Sequence, residues 1–266
     1  MMTIKNYVRA QSLQQAYELN QSRRNRIVGG MLWLKMSNAS VNTAIDLCDL
    51  GLDAIEETVE AFSIGAMVSL RQLELHAGLN DYTQGAMAAA VGDIVGVQFR
   101  NMATVGGSLC GRFGFSDVLT MFLAMDASVE LFHAGIVPLE EYARMKRYRD
   151  VLVRVIVKKT PAAFAYRAMR NSRTDFPVIA CAAACVGGEY RLSVGARPSR
   201  AMLLRDTEGL LASGITGESA ARFADFAAAS VPTGSNLRAS AAYRTHLVRV
   251  LTQRALMELG GNQDGN

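Results

Sequence analysis

Two glycine pairs are the residues of this chain best suited to chemistry. Gly29-Gly30 follows the short apolar run Arg26-Ile27-Val28, and Gly106-Gly107 sits in Q-F-R-N-M-A-T-V-G-G-S-L-C-G-R-F-G, residues 98 to 114, where four of seventeen positions are glycine. A glycine pair after a strand turns successive backbone N–H groups into one concavity, because no Cβ blocks the approach, and such a nest holds phosphate oxygens without a lysine. Tight turns also use glycine routinely, so either pair alone reads first as a turn. Two of them in one half of the chain point to a diphosphate held from both sides. Gly106 to Gly111 has P-loop spacing, but Arg112-Phe113 follows where Lys then Ser or Thr is required, and the dinucleotide pattern G-x-G-x-x-G is absent.

Other reactive side chains are scarce: three histidines (His76, His133, His246), four cysteines and one tryptophan, Trp33. The histidines lie far apart, and no Cys-His or Ser-His-Asp set assembles from spacing. Cys181 and Cys185 share a strand face in an alanine-rich run and read as buried thiols rather than metal ligands. Cys110 reads as a packed thiol. The arginines of the last helix, Arg244, Arg249 and Arg254, read as a solvated or subunit-facing surface. Any chemistry in this chain is done with few polar side chains or with a borrowed cofactor.

The elements that must position these turns come from a globular composition. Of 266 residues, 50% are hydrophobic and 20% charged, which excludes a long disordered or collagen-like chain. Lys and Arg (28) exceed Asp and Glu (24) by a small, scattered surplus, too little to argue for nucleic acid. Residues 1 to 26 lack a secretory pattern, the longest apolar run, Val178 to Val186, is too short to cross a bilayer, and unframed cysteines suit a reducing cytoplasm.

Ser12 and Gln15 form a capping-box pattern for a helix opening near residue 12. Strands are predicted at 26–28, 43–47, 61–68, 129–132 and 151–157. Helices are predicted from Ser69, over 84–95 and 118–125, and near Leu139. Residues 98–114 are too glycine-rich for an ordinary helix or strand interior. A polar, proline-containing break at 158–161 marks a boundary. Beyond it, 163–169, 178–186 and 190–194 are spaced as an antiparallel meander, followed by helices over 218–229 and 241–259.

Together, I-V-G-G-M-L-W-L-K-M at 27 to 36, R-N-M-A-T-V-G-G-S at 100 to 108, S-D-V-L-T-M-F-L-A-M-D-A at 116 to 127, F-A-Y-R-A-M-R-N-S-R-T-D-F at 164 to 176 and L-R-A-S-A-A-Y-R-T-H-L at 237 to 247 resemble the FAD-binding medium subunit of the molybdenum hydroxylases. That group includes xanthine dehydrogenase, aldehyde oxidase and carbon monoxide dehydrogenase. The resemblance implies an α+β chain. A two-lobed PCMH-type (vanillyl-alcohol-oxidase-like) FAD-binding domain would occupy 1–160, with lobes of about 1–52 and 53–160. A CO dehydrogenase flavoprotein C-terminal-like domain of antiparallel sheet plus helices would occupy 161–266.

It also implies site residues. Val28, Gly29, Gly30, Met31, Leu32 and Trp33 would cradle the FAD diphosphate through backbone N–H groups, and Thr104, Val105, Gly106, Gly107 and Ser108 would form a second phosphate-facing loop. Asp117 would hydrogen-bond FAD hydroxyls, Leu152 would pack on the flavin ring, and Arg167 would approach that ring. Met31-Leu32 replaces the Thr-Asp usual at this point of the family, and Ser108 replaces its asparagine. The implied partners are a molybdopterin-binding large subunit, a 2Fe-2S small subunit, and NAD+ or another acceptor. A carbon monoxide dehydrogenase-like subunit with a quinone acceptor and a flavin-free assembly scaffold are the alternatives.

Overall fold

The computed structural model of the chain describes residues 1–146 and 149–263. The elements run β1 (Thr3–Arg9), α1 (Leu13–Asn20), β2 (Arg26–Val28), β3 (Ser40–Asp46), β4 (Ile55–Glu57), β5 (Ala61–Gly65), α2 (Leu70–Leu75), α3 (Ala77–Tyr82), α4 (Ala86–Gly92), α5 (Val97–Met102), α6 (Val105–Cys110) and α7 (Asp117–Ala124). They continue with β6 (Ser128–Leu131), β7 (Gly135–Pro138), α8 (Leu139–Arg144), β8 (Leu152–Lys158), β9 (Ala162–Arg170), β10 (Pro177–Val186), β11 (Glu189–Gly195), β12 (Met202–Arg205), α9 (Gly217–Ser230) and α10 (Ala241–Gln263). Two compact units result, each drawn from three stretches: Met1–Gln72, Val97–Gly111 and Ala127–Lys158 in the first, Leu73–Gly96, Arg112–Asp126 and Lys159–Asn266 in the second.

The first unit holds two sheets. Parallel strands in the order β1-β3-β2 form one. Parallel neighbours cannot be joined by a tight hairpin, and α1 carries the chain from β1 to β2. Ser12 caps α1 by accepting from the Gln15 N–H, while the Gln15 side chain accepts from Gln11 N, one residue earlier than a capping box requires. Strand β1 was not legible in T-I-K-N-Y-V-R because it is exposed along nearly its whole length and shows no apolar alternation. The second sheet is antiparallel, in the order β4-β5-β8-β6-β7. The strand predicted over 61–68 stops at Gly65, where a Cβ would meet the Leu52 carbonyl oxygen at 2.1 Å, and Met67 N then donates to that same oxygen.

The second unit is an antiparallel sheet, β12-β11-β10-β9. Its first three strands are the predicted meander, and β12 extends it. One face carries Ala163, Ala165, Cys181, Ala183, Leu192 and Val194 into a core with Phe223 of α9 and Leu247, Leu251 and Ala255 of α10. Against the sheet lies α7, buried at every position, as an apolar helix without a polar stripe must be. Thr120 of α7 sits where a Cβ on Gly195 would be 2.1 Å away. Cys181 is buried, as expected; Cys110 is exposed, contrary to the reading of a packed thiol, with its sulfur 3.3 Å from the Tyr142 hydroxyl.

The arginines of α10 also divide against expectation. Arg249 is exposed and paired with Asp225, but Arg244 is 1% exposed. Its guanidinium donates to the carbonyls of Val178, Gly234 and Ala239 and to Asn236 Oδ1, at 2.6 to 3.0 Å. A buried cation is tolerable only with its donors satisfied, and these acceptors tie the 234–239 segment to β10. Arg244→Met removes a donor from all four acceptors; Ala239 O keeps the Asn236 N–H and Asn236 Oδ1 the Arg238 N–H, while Val178 O and Gly234 O lose theirs at about 1–3 kcal/mol for each one buried. Urea denaturation of that variant is expected to show a loss of about 3 kcal/mol or more, with Arg249→Met near wild type.

Candidate functional site

Strand β2 ends at Val28, and the chain turns through Gly29, Gly30 and Met31 into Leu32 and Trp33. Met31 adopts φ +58°, the left-handed region that side chains rarely occupy. Its thioether side chain packs with Leu34 and Ala39 against Val28, Val41 and Ala44, a contact that holds the residue in that conformation. The backbone N–H groups of Gly29, Gly30, Met31 and Leu32 meet no protein acceptor among the described residues. Four successive half-buried donors without partners form an anion cradle. Trp33 beside them tilts against Phe99, ring centres 5.3 Å apart.

The second glycine pair is built differently. It lies inside the first turn of α6 and not after a strand, so residues 98–114 are largely helical, as α5 and α6, despite their glycines. Every N–H from Val105 to Ser108 is engaged: Val105 N to Val68 O, Gly106 N to Ala66 O, Gly107 N to Thr104 Oγ1 and Ser108 N to Thr104 O. Glycine is required at 106 because a Cβ would lie 2.8 Å from the Ala66 carbonyl oxygen. Ser108 Oγ donates back to Thr104 O.

The two segments touch. A Cβ on Gly30 would stand 1.9 Å from the Met102 carbonyl oxygen, and one on Gly29 2.6 Å from Thr104 Oγ1. The pairs therefore allow one stretch of backbone to press against another, and the cradle opens on the 29–32 side. Leu152, at the head of β8, is buried at 4% exposure.

Asp117 and Arg167 lie in the second unit. Asp117 opens α7 behind its cap Ser116 and is 4% exposed. Its Oδ1 accepts a short hydrogen bond from the Tyr166 hydroxyl and lies 3.0 Å from Arg170 Nη2. Burial pushes the Asp117 carboxyl above its ordinary range, against the opposing pull of Arg170 and Tyr166. Burial and the neighbouring carboxylate hold the Tyr166 phenol well above its own. Removing the cation from such a pair leaves an uncompensated buried charge, worth about 3–5 kcal/mol.

Arg167 occupies the other face of β9. With Ala163 and Ala165 it points to the α10 side, where its guanidinium pairs with Glu258 at 2.7 Å and lines a groove of about 720 Å³ with Leu251, Arg254 and Met257. Tyr166 and Arg170 were not singled out from sequence. Strand parity was the available signal, since residues three apart in a strand face opposite ways.

Known proteins agree with this architecture. A family model described as "FAD binding domain in molybdopterin dehydrogenase" matches residues 2–159, and one described as "CO dehydrogenase flavoprotein C-terminal domain" matches residues 164–259. The chain belongs to this family of FAD-binding medium subunits of molybdenum hydroxylases and carbon monoxide dehydrogenases, and is an oxidoreductase component whose cofactor is FAD. It is similar to the Escherichia coli K12 protein "Uncharacterized protein YgfM", 27% identical over 253 residues and 93% of each chain. It is also similar to the "Xanthine dehydrogenase FAD-binding subunit" of Escherichia coli O157:H7, 28% identical over 200 residues and 65% of each. Among solved structures, a chain of reconstituted CO dehydrogenase from Oligotropha carboxidovorans superimposes with TM-score 0.86 at 20% identity over 98% of each chain.

The residues present fit the cofactor: the unpaired N–H run at 29–32 suits a diphosphate, and none of those groups depends on a side chain that Met31-Leu32 removes. Overpacking by one Cβ typically costs about 1–3 kcal/mol. Gly30→Ala, driven into a backbone oxygen, is expected to lose bound flavin and to melt early. Gly107→Ala, whose Cβ would meet only Thr104 Oγ1 at 3.0 Å, is expected to keep both. Flavin absorbance and thermal melting of the two variants check this contrast.

Proposed function

We propose that the chain is the electron-transfer subunit of a xanthine dehydrogenase-like complex, receiving electrons from the 2Fe-2S clusters of a small subunit and delivering them to NAD+ or another acceptor. A molybdopterin-binding large subunit performs the substrate chemistry. Bound FAD supplies the redox chemistry, and this chain's residues bind and orient it. In this reading Val28 to Trp33 hold the diphosphate through backbone N–H groups, Thr104 to Ser108 fix the shape of that turn from behind, Asp117 takes cofactor hydroxyls and Leu152 gives the ring an apolar wall. The division into a FAD-binding part over 1–160 and a C-terminal part over 161–266 belongs to the same proposal, as does a cytoplasmic location. No helix among the described residues is long and apolar enough to cross a membrane.

The observation that carries the reading is the row of four N–H groups, residues 29 to 32, that meet no acceptor among the described residues, in a turn whose Gly30 tolerates no Cβ. Purified chain is expected to carry flavin absorption, or to regain it when FAD is added. A colourless protein that cannot be reconstituted overturns the proposal in favour of a scaffold. Oxidation of NADH by the loaded chain with an artificial dye separates a nicotinamide acceptor from a quinone-type one, and affinity purification from the native cell identifies the two partner subunits.

A further inference from the structure

The positive surplus of the chain is concentrated in one stretch. Between Glu18 and Asp46 the sequence carries Arg23, Arg24, Arg26 and Lys35 and no carboxylate, and without those four the chain balances 24 cations against 24 carboxylates. All four are exposed. The three arginines lie in the turn from α1 to β2 and at the start of β2, and the fold brings a fourth guanidinium there. Arg149, half-buried, donates to the carbonyls of Asn20, Ser22 and Asn25. Burial first, then the charges of Arg26 and Arg23, hold Arg149 below its ordinary range. No carboxylate among the described residues pairs with any of the four arginines, whereas Arg9, Arg154 and Arg249 each have one.

The cluster is also fixed in place. Arg26 Nη1 donates to the carbonyls of Arg23 and Asn25, Gln21 Nε2 to that of Arg149, and Asn42 N to that of Arg24. Like charges held close on a stiff loop repel, and nothing inside the fold relieves them, so the surface is complementary to an anionic partner. Arginine presents a planar fork that takes a carboxylate or a phosphate through two hydrogen bonds. A nucleic acid or an anionic membrane engages a long run of cations, but beyond this stretch every cation of the chain is matched by a carboxylate. A protein face with a few Asp or Glu side chains fits a cluster of this size. Its position selects the protein: β2, three residues long, leads from Arg26 to the N–H turn at 29–32, and a subunit that gives electrons to FAD must stand close to it.

We propose that Arg23, Arg24 and Arg26, backed by Arg149, form the docking surface for a carboxylate-rich face of the 2Fe-2S small subunit. This rests on the functional reading above and gives that subunit its seat.

The affinity of the FAD-loaded chain for the small subunit that co-purifies with it, measured at low and at high salt, tests the assignment. Wild-type binding is expected to weaken as salt screens the pairs. Arg23→Glu/Arg24→Glu changes two exposed side chains that hold no backbone group. It is expected to bind about tenfold more weakly at low salt, or ~1.4 kcal/mol, with a flatter salt dependence and with wild-type flavin content and melting. Arg222→Glu/Arg254→Glu, the same change of charge on α9 and α10, is expected to bind as wild type. Wild-type affinity in the first variant, or an equal loss in the second, overturns the proposal. So does a first variant that keeps the small subunit but loses binding to heparin or to phosphatidylserine vesicles, which assigns the cluster to a polyanion or a lipid surface. Should the double reversal lower the melting temperature, Arg23→Gln/Arg24→Gln, which removes the charges without reversing them, decides. Failure of the wild-type chain to bind the small subunit at all defeats the functional reading instead.

Discussion

The first unit depends on one close approach, that of the Met102 carbonyl to the α-carbon of Gly30. No side chain fits between them, so the 29–33 turn and the 102–108 segment meet backbone to backbone. The consequence is an unequal division of hydrogen bonds. The second segment is stitched to Ala66, Val68 and Leu70 and capped by Thr104, which consumes its N–H groups internally. The first turn, held from behind by that ordered wall and by the Met31 contacts, leaves the N–H groups of residues 29 to 32 without an acceptor among the described residues. In the proposed function this turn holds a diphosphate without lysine, threonine or aspartate, because the field comes from oriented amides.

The second unit solves a different problem, charge inside a core. Asp117, Tyr166 and Arg170 bring a carboxylate, a phenol and a guanidinium into a nearly dry setting. The charges balance, so burial is tolerable, yet it weakens the hold of the carboxylate on its ionised state. Arg244 shows the alternative outcome, a buried cation whose donors are filled by backbone oxygens and whose role is to tie a loop to a strand.

Much of this was readable from residue order. Strand β2 and its glycine turn, the Ser69 and Ser12 helix caps, the three-strand meander and the two closing helices all carry local signals: hydroxyl caps, alternation and apolar periodicity. The misses share one physical cause. Strand β1 is polar because its faces are exposed, β5 is cut short by a carbonyl from Leu52, and α6 carries glycine at 106 because the Ala66 carbonyl leaves no room for a Cβ. At β5 and α6 a distant neighbour overrode local preference.

The sequence by itself determined the class of the protein, its family, its first glycine turn and the scarcity of catalytic side chains, since these follow from residue types and short-range spacing. Only the tertiary structure decided which glycine pair keeps free N–H groups, which arginine of β9 meets Asp117, and which arginine of α10 is buried. Hydrogen-bond partners and strand faces are set by segments far apart in the chain, and whether a donor is free depends on what the rest of the fold has already placed against it.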